Sequence, residues 1–441
     1  MATQTSNEKS KFSLSGATLY GINAVIGSGI FLLPRTIYEG LGPASLVAML
    51  VDVLLVLLLA LCFAEVAGYF DKNGGAFQYS KAAFGDFVGF NVGVLGWAVT
   101  VIAWGAMAAG FARLFVALVP SFKPFEMWIA IVLIVLLSII NSFGVKTSKI
   151  FTITITIAKL IPIVAFVVIA IFFIKGGINA GNFTPFVQLE PGKNFLQGMS
   201  SSALVVFYAF IGFEALPVVA GEMRNPKKNV PKAIITSIII VSLLYFLIIA
   251  GTIAQLGNGI LSTDTPVQDA FTKIIGPVGG FIITIGALIS VGGLNTGDSM
   301  MIPRYACSIA EDGLLPKVFA KKNKHEAPIF SIVVSGVLAV LLVMSGSFEQ
   351  LAQLSVLMRF IQYIPTALSV IALRKKGLED PGFKLRFGPF IAVLSVIVSL
   401  WIISSSSLSN IIFTIGAICI TSILYFVMYG KKGRQSEKVE D

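Results

Sequence analysis

Two interrupted apolar stretches carry the residues best placed to do chemistry inside a membrane. In the first, GINAVIGSGIFLLPRTIYEGL at residues 21–41, Gly27, Ser28 and Gly29 sit in the middle of a segment apolar enough to enter a bilayer. Two glycines around a serine weaken a helix. Backbone groups released there have no partner in hydrocarbon, so the interruption is tolerable only beside protein or a watery cavity. The amides that open the second half would meet an anion such as a carboxylate. Close helix packing through small residues is the competing reading. The second stretch, LQGMSSSALVVFYAFIGFEALPVVA, is interrupted by Ile211, Gly212 and Phe213, with Glu214 following. Interrupted helices at matching positions of two halves point to a transporter's substrate site, which weakens the packing explanation.

Charged side chains at membrane depth cost at least about 2.5–3.5 kcal/mol each, so each needs a partner or a purpose. Thr152, Thr156 and Lys159 recur at i, i+4 and i+7, which places them on one inward face of an otherwise apolar helix. Lys159 can there neutralise carbonyls or an acidic neighbour, or exchange a proton; a permanently charged structural lysine, standing where another transporter holds sodium, is equally compatible. Ser355, Arg359, Gln362, Tyr363 and Thr366 form a second polar stripe. Asn295, Asp298 and Ser299 lie in the small-residue run GGLNTGDSMM. Asp298 or Glu214 can pair with Lys159 or Arg359, and spacing does not choose; a structural pair and a proton carrier both fit. Arg113 lies near a helix end and is read as snorkelling. Asp52 and Glu65 have no assigned role. Tyr208, one turn before the second interruption, is a candidate gate, as are Trp104 and Met107 on one face of their helix.

These residues need long apolar helices to hold them. The chain has 56% hydrophobic and 12% charged residues, with a mean hydropathy of +0.90. That charged fraction is about half a soluble domain's. The fold expected is an all-α polytopic membrane protein of about twelve spans, near residues 14–38, 43–69, 84–118, 126–142, 150–174, 197–220, 231–256, 277–306, 329–345, 351–373, 388–406 and 409–429. Unbroken hydrophobicity excludes a barrel of alternating strands. No cleavable signal is expected. Cys62, Cys307, Cys419 and the single His325 have no metal or redox spacing. With the N-terminus in the cytoplasm, about 24 of the 32 Lys and Arg fall in tails and cytoplasmic loops and about 5 outside, leaving Arg113, Lys159 and Arg359 in spans. The net charge of +10 therefore reads as topology rather than nucleic-acid binding. Lys227, Lys228 and Lys232, or Lys321, Lys322 and Lys324, are ordinary cytoplasmic charge, with lipid headgroups as a second reading. Tails at 1–12 and 430–441 flank one transmembrane domain at 13–429. Five spans separate the interruptions, so the second half enters inverted: one repeat at about 13–175, another at about 195–374, and two further helices at about 388–429.

The motifs GSGIFLLP, FYAFIGFEA, IAKLIPI and AEDGLLPKVFAKKNKHEAP, with twelve spans, resemble the amino acid-polyamine-organocation family of permeases over essentially the whole chain. The resemblance implies two inverted five-helix repeats around a central site, as in LeuT. It implies that the backbone of Gly27, Ser28 and Gly29 takes the substrate carboxylate, while carbonyls near Phe207, Tyr208 and Ile211 take the amino group. Val25, Ile26, Trp104, Met107 and Asp298 complete the expected substrate-binding set; Lys159, Tyr208, Glu214 and Arg359 are the expected coupling and gating residues. Lys159 corresponds to the lysine of sodium-independent members, which favours proton coupling or amino acid exchange. Asp298 departs from relatives with a neutral residue there, implying a cationic substrate or a partner for Arg359. The expected function is secondary active transport of amino acids across the plasma membrane, in a bilayer whose compact loops suit a bacterium. A channel or a transporter-like receptor is the alternative; an enzyme is not, for no nucleophile-base set is present. No cofactor, metal, nucleic acid or obligate protein partner is implied.

Overall fold

The computed structural model of the chain describes residues 12–70, 75–144, 149–218, 223–377 and 381–429. Apart from Phe12, the expected tails lie outside the described residues, as does the side chain of Thr152. The protein is all-α and polytopic. Nine helices among the described residues are long and apolar enough to cross a membrane. Two shorter apolar helices and the interrupted first helix match the remaining expected spans.

The first stretch is three pieces: α1 (Leu14–Val25), α2 (Gly29–Leu32) and α3 (Pro34–Leu41). Ser13 starts α1 by accepting from the Gly16 amide, and Pro34 starts α3 at a position that needs no amide. Then follow α4 (Ser45–Ala67), α5 (Gly75–Phe84), α6 (Asp86–Leu118), α7 (Glu126–Ser142) and α8 (Lys149–Asn179). The second interrupted stretch is α9 (Phe195–Phe210) and α10 (Ala215–Val218). Asn194 and Gln197 cap α9 reciprocally, each bonding the other's backbone amide. The rest is α11 (Pro226–Leu256), α12 (Pro266–Ile275), α13 (Pro277–Glu311), α14 (Ile329–Ser345), α15 (Phe348–Lys375), α16 (Gly388–Ile403) and α17 (Leu408–Tyr429).

The largest apolar cluster brings together α1, α2, α4, α9, α11 and α15; a second joins α6, α7, α13 and α14. Helix α6 packs on α13 and α15 and so ties the two together. Helix α17 lies at the periphery: of its side chains only Thr414 and Thr421 are buried, as expected where lipid is the outer solvent.

Arg113 does not snorkel. It bonds both oxygens of Glu349, lies 3.7 Å from Glu126 and sits 5.6 Å from the centre of the Phe348 ring. A desolvated guanidinium is better served by a bidentate carboxylate than by reaching for distant water. Glu65 also has a partner: Arg374 donates two bonds to it at 2.6 and 2.7 Å, and the Leu385 amide a third at 2.9 Å. That cluster joins the ends of α4 and α15 to the segment entering α16.

Candidate functional site

The interruptions face each other. Ile26 takes an extended conformation and the chain re-enters helix only at Gly29. In the second stretch Ile211 is also non-helical, and Gly212 has φ of +124°. A Cβ at Gly212 would lie 2.6 Å from the Ala24 carbonyl carbon and closer still to its oxygen. Glycine is required here twice over, by its dihedral and by backbone passing against backbone. Gly29 makes the reciprocal approach: a Cβ there would lie 3.0 Å from both Ala209 Cα and Tyr208 Cδ1.

Carbonyls released by the first interruption find side-chain donors. Lys159, fully buried on α8, donates to the carbonyls of Asn23 at 3.0 Å and Ile26 at 2.8 Å. Ser290 of α13 adds a bond to the Ile26 oxygen at 3.2 Å, and Tyr245 of α11 donates to Val25 at 3.2 Å. A buried lysine thus sits on the cluster of negative backbone poles that the interruption leaves.

Val25, Gly27, Gly29, Met107, Tyr208 and Ile211 line a cavity of about 30 Å³, together with Ala24, Ala103 and Ala209. A space that small holds about one or two waters and no amino acid. Met107 presses on it closely: a Cβ at Gly27 would meet Met107 Cε at 3.0 Å. The Tyr208 hydroxyl lies 3.4 Å from Ser28 Oγ, and its ring meets Phe348 edge-on at 5.8 Å. A chain of contacts therefore runs from the first interruption through Tyr208 and Phe348 to Arg113 and Glu349.

The structure also separates the expected ion pairs. Arg359 pairs with Glu214 at 3.1 Å, their side chains 6% and 12% exposed. Glu214 also accepts from the Gly212 amide at 3.0 Å, so the pair braces the second interruption against α15. Asp298 is half-buried and, among the described residues, makes no ion pair within 4 Å. It does not line the cavity. Nor do the side chains of Trp104 and of Phe207, the latter expected through its carbonyl. Trp104 is packed in the cluster of α6, α7, α13 and α14. Phe207 is buried against the rings of Phe360 and Tyr363 at 5.0 and 5.8 Å. The Ile26 carbonyl is taken by Lys159 and Ser290, and the Ser28 hydroxyl lies against that of Tyr208. Ser290, Tyr245 and the three cavity alanines escaped the sequence reading. A single tyrosine in the apolar run of α11 is the one signal that marked any of them.

Among the described residues, no cluster of His, Cys, Asp and Glu can hold a metal ion. The arrangement offers unwound backbone poles, a buried lysine bonded to two of them and a small apolar chamber.

Known proteins similar to this chain are named as transporters. An uncharacterized transporter of Mycobacterium tuberculosis is 30% identical over 396 residues, covering 84% of this chain and 81% of the relative. The serine/threonine exchanger SteT of Bacillus subtilis is 28% identical, covering 99% of this chain and all of the relative. The methylthioribose transporter of the same organism is 29% identical over 98% and 97%. The amino acid permease profile matches residues 12–437, and the chain belongs to that family.

Proposed function

We propose that this chain is a secondary active carrier of amino acids in the cell membrane, working by alternating access without sodium, either as a proton-coupled symporter or as an exchanger. The observation that carries the reading is Lys159, whose ammonium bonds the Asn23 and Ile26 carbonyls beside the chamber where both interrupted helices meet. The unwound backbone from Gly27 to Gly29 takes the substrate carboxylate, and the carbonyl ends near Tyr208 and Ile211 take the ammonium. Two inverted repeats, at about 13–175 and 195–374, rock around that site, with both termini cytoplasmic in accord with the charge bias. Tyr208 closes one route. The Glu214–Arg359 pair moves with the second interruption.

The side chain of the substrate is small and neutral. Every side chain on the chamber wall except Tyr208 is apolar, and three are alanines; Asp298 stands outside it. Among relatives, SteT is named for serine and threonine, and another for methylthioribose, so both kinds of compound belong in the assay.

The test is counterflow in reconstituted vesicles with a panel of labelled amino acids and methylthioribose, sodium and proton gradients being set independently. Saturable uptake of small neutral amino acids, accelerated by substrate on the far side and indifferent to sodium, is expected. Unitary currents without such acceleration assign a channel. Stoichiometric binding without flux assigns a receptor. Dependence on a sodium gradient overturns the reading of Lys159.

A further inference from the structure

Away from the interrupted helices, the connection between α13 and α14 builds a second cavity, of about 360 Å³. It lies where the short turn Lys317–Ala320 meets the start of α14. Its wall is apolar, from Val318, Ile329, Phe330 and Val333, and its rim carries Lys321 and Lys322.

The cavity is preformed by a braced loop. Ser331 donates to the Phe319 carbonyl at 2.8 Å, fastening the turn to α14. Asn323 accepts from the amides of His325 and Ala327 at 2.9 and 3.0 Å and donates to the Ser142 carbonyl at 2.8 Å. The two rim lysines differ. Lys322 bonds Glu311 at 2.8 Å, whereas Lys321 makes no ion pair within 4 Å among the described residues.

The apolar wall does not end at the cavity. Val333, Val337, Leu341 and Met344 all stand more than half exposed along α14. Their spacing puts them on one outward stripe of an apolar helix. Hydrocarbon chains cover such a stripe in a bilayer, and the lysines stand at the end where headgroups lie.

We propose that this cavity binds one anionic phospholipid, with its phosphate at Lys321 and Lys322 and an acyl chain along Phe330, Val333 and Val337. A soluble phosphate would use the lysines and leave the apolar wall unfilled. A zwitterionic lipid would bring its own cation against them. The site is independent of the transport reading, since none of its residues touches the central chamber.

The test is native mass spectrometry of the purified full chain, offered equal amounts of phosphatidylglycerol and phosphatidylcholine, with glycerol 3-phosphate as the soluble arm. The wild type is expected to retain one phosphatidylglycerol at least about fivefold over phosphatidylcholine, and glycerol 3-phosphate not at all. Lys321→Gln should reduce phosphatidylglycerol retention about fivefold. Val333→Trp, which fills the groove without changing charge, should reduce it too; both positions are exposed. Equal retention of the two lipids, or undiminished phosphatidylglycerol on Lys321→Gln, overturns the site. So does retention of glycerol 3-phosphate that Val333→Trp leaves unchanged, which would assign the lysines to a soluble anion.

Discussion

Replacing Gly212 with alanine tests whether the two interruptions bear on one another. The added Cβ would lie 2.6 Å from the Ala24 carbonyl carbon, where ordinary contact begins at 3.4 Å. One interrupted helix must then move by at least about 0.8 Å, since the carbonyl oxygen is nearer still, and the obstacle is backbone, which cannot rotate aside. The dihedral adds to this: at φ of +124° a residue with a Cβ carries about 1–3 kcal/mol of strain. Strain alone therefore lowers the population of the closely apposed state by about fivefold to a hundredfold, at a tenfold change per 1.4 kcal/mol. Counterflow by Gly212→Ala in vesicles should fall by at least about tenfold, with the protein still monodisperse in detergent. Gly416→Ala is the control. Its Cβ meets nothing within 4 Å, and alanine is the better helix former by about 1 kcal/mol. If Gly212→Ala transports like the wild type, the apposition of Ala24 and Gly212 has no part in the cycle, and the central site loses its main geometric support.

Three further outcomes are expected. Lys159→Ala removes two charge-assisted bonds worth about 1.5–3 kcal/mol each, so the purified variant should still fold but transport at least tenfold more slowly; unchanged kinetics across pH would remove Lys159 from the mechanism. Glu214→Gln leaves Arg359 buried without its counter-charge at a cost of about 3–5 kcal/mol, which should lower the melting midpoint, and joint replacement with Arg359→Gln should recover part of the loss; additive losses in the double variant would argue against a coupled pair. Met107→Ala widens the chamber beside Gly27, so leucine should compete with labelled substrate about tenfold better than in the wild type; an unchanged competition profile would place the side-chain pocket elsewhere.

The helices and their interruptions were legible because hydrocarbon enforces simple rules. A run such as α8 must be apolar and long, and a Gly-Ser-Gly within such a run has few explanations. Lys159 was legible for the same reason, as a charge with no business facing lipid. Pairing was not legible. Asp298, Lys159 and Arg359 lie on three different helices and Glu214 in the second interruption, and their sequence spacing carries no distance between them. Arg113 misled because a helix end normally offers water, and only the fold brings Glu349 to it. Trp104 misled because helical periodicity gives a face without saying what the face meets; it met the second apolar cluster. Alanines at 24, 103 and 209 were invisible, since a chamber wall and a close helix contact ask for the same small residue.

The ammonium on the Asn23 and Ile26 carbonyls is held by a covalent leash. An ion bound there by diffusion would arrive from one compartment and depart to the other, carrying stored electrochemical work with it. A leashed one goes nowhere. On the proposed reading, if it keeps its proton throughout and no other group carries one across, each passage of a zwitterion is electrically silent, and membrane voltage alone gives the molecule no means of filling a cell against a gradient.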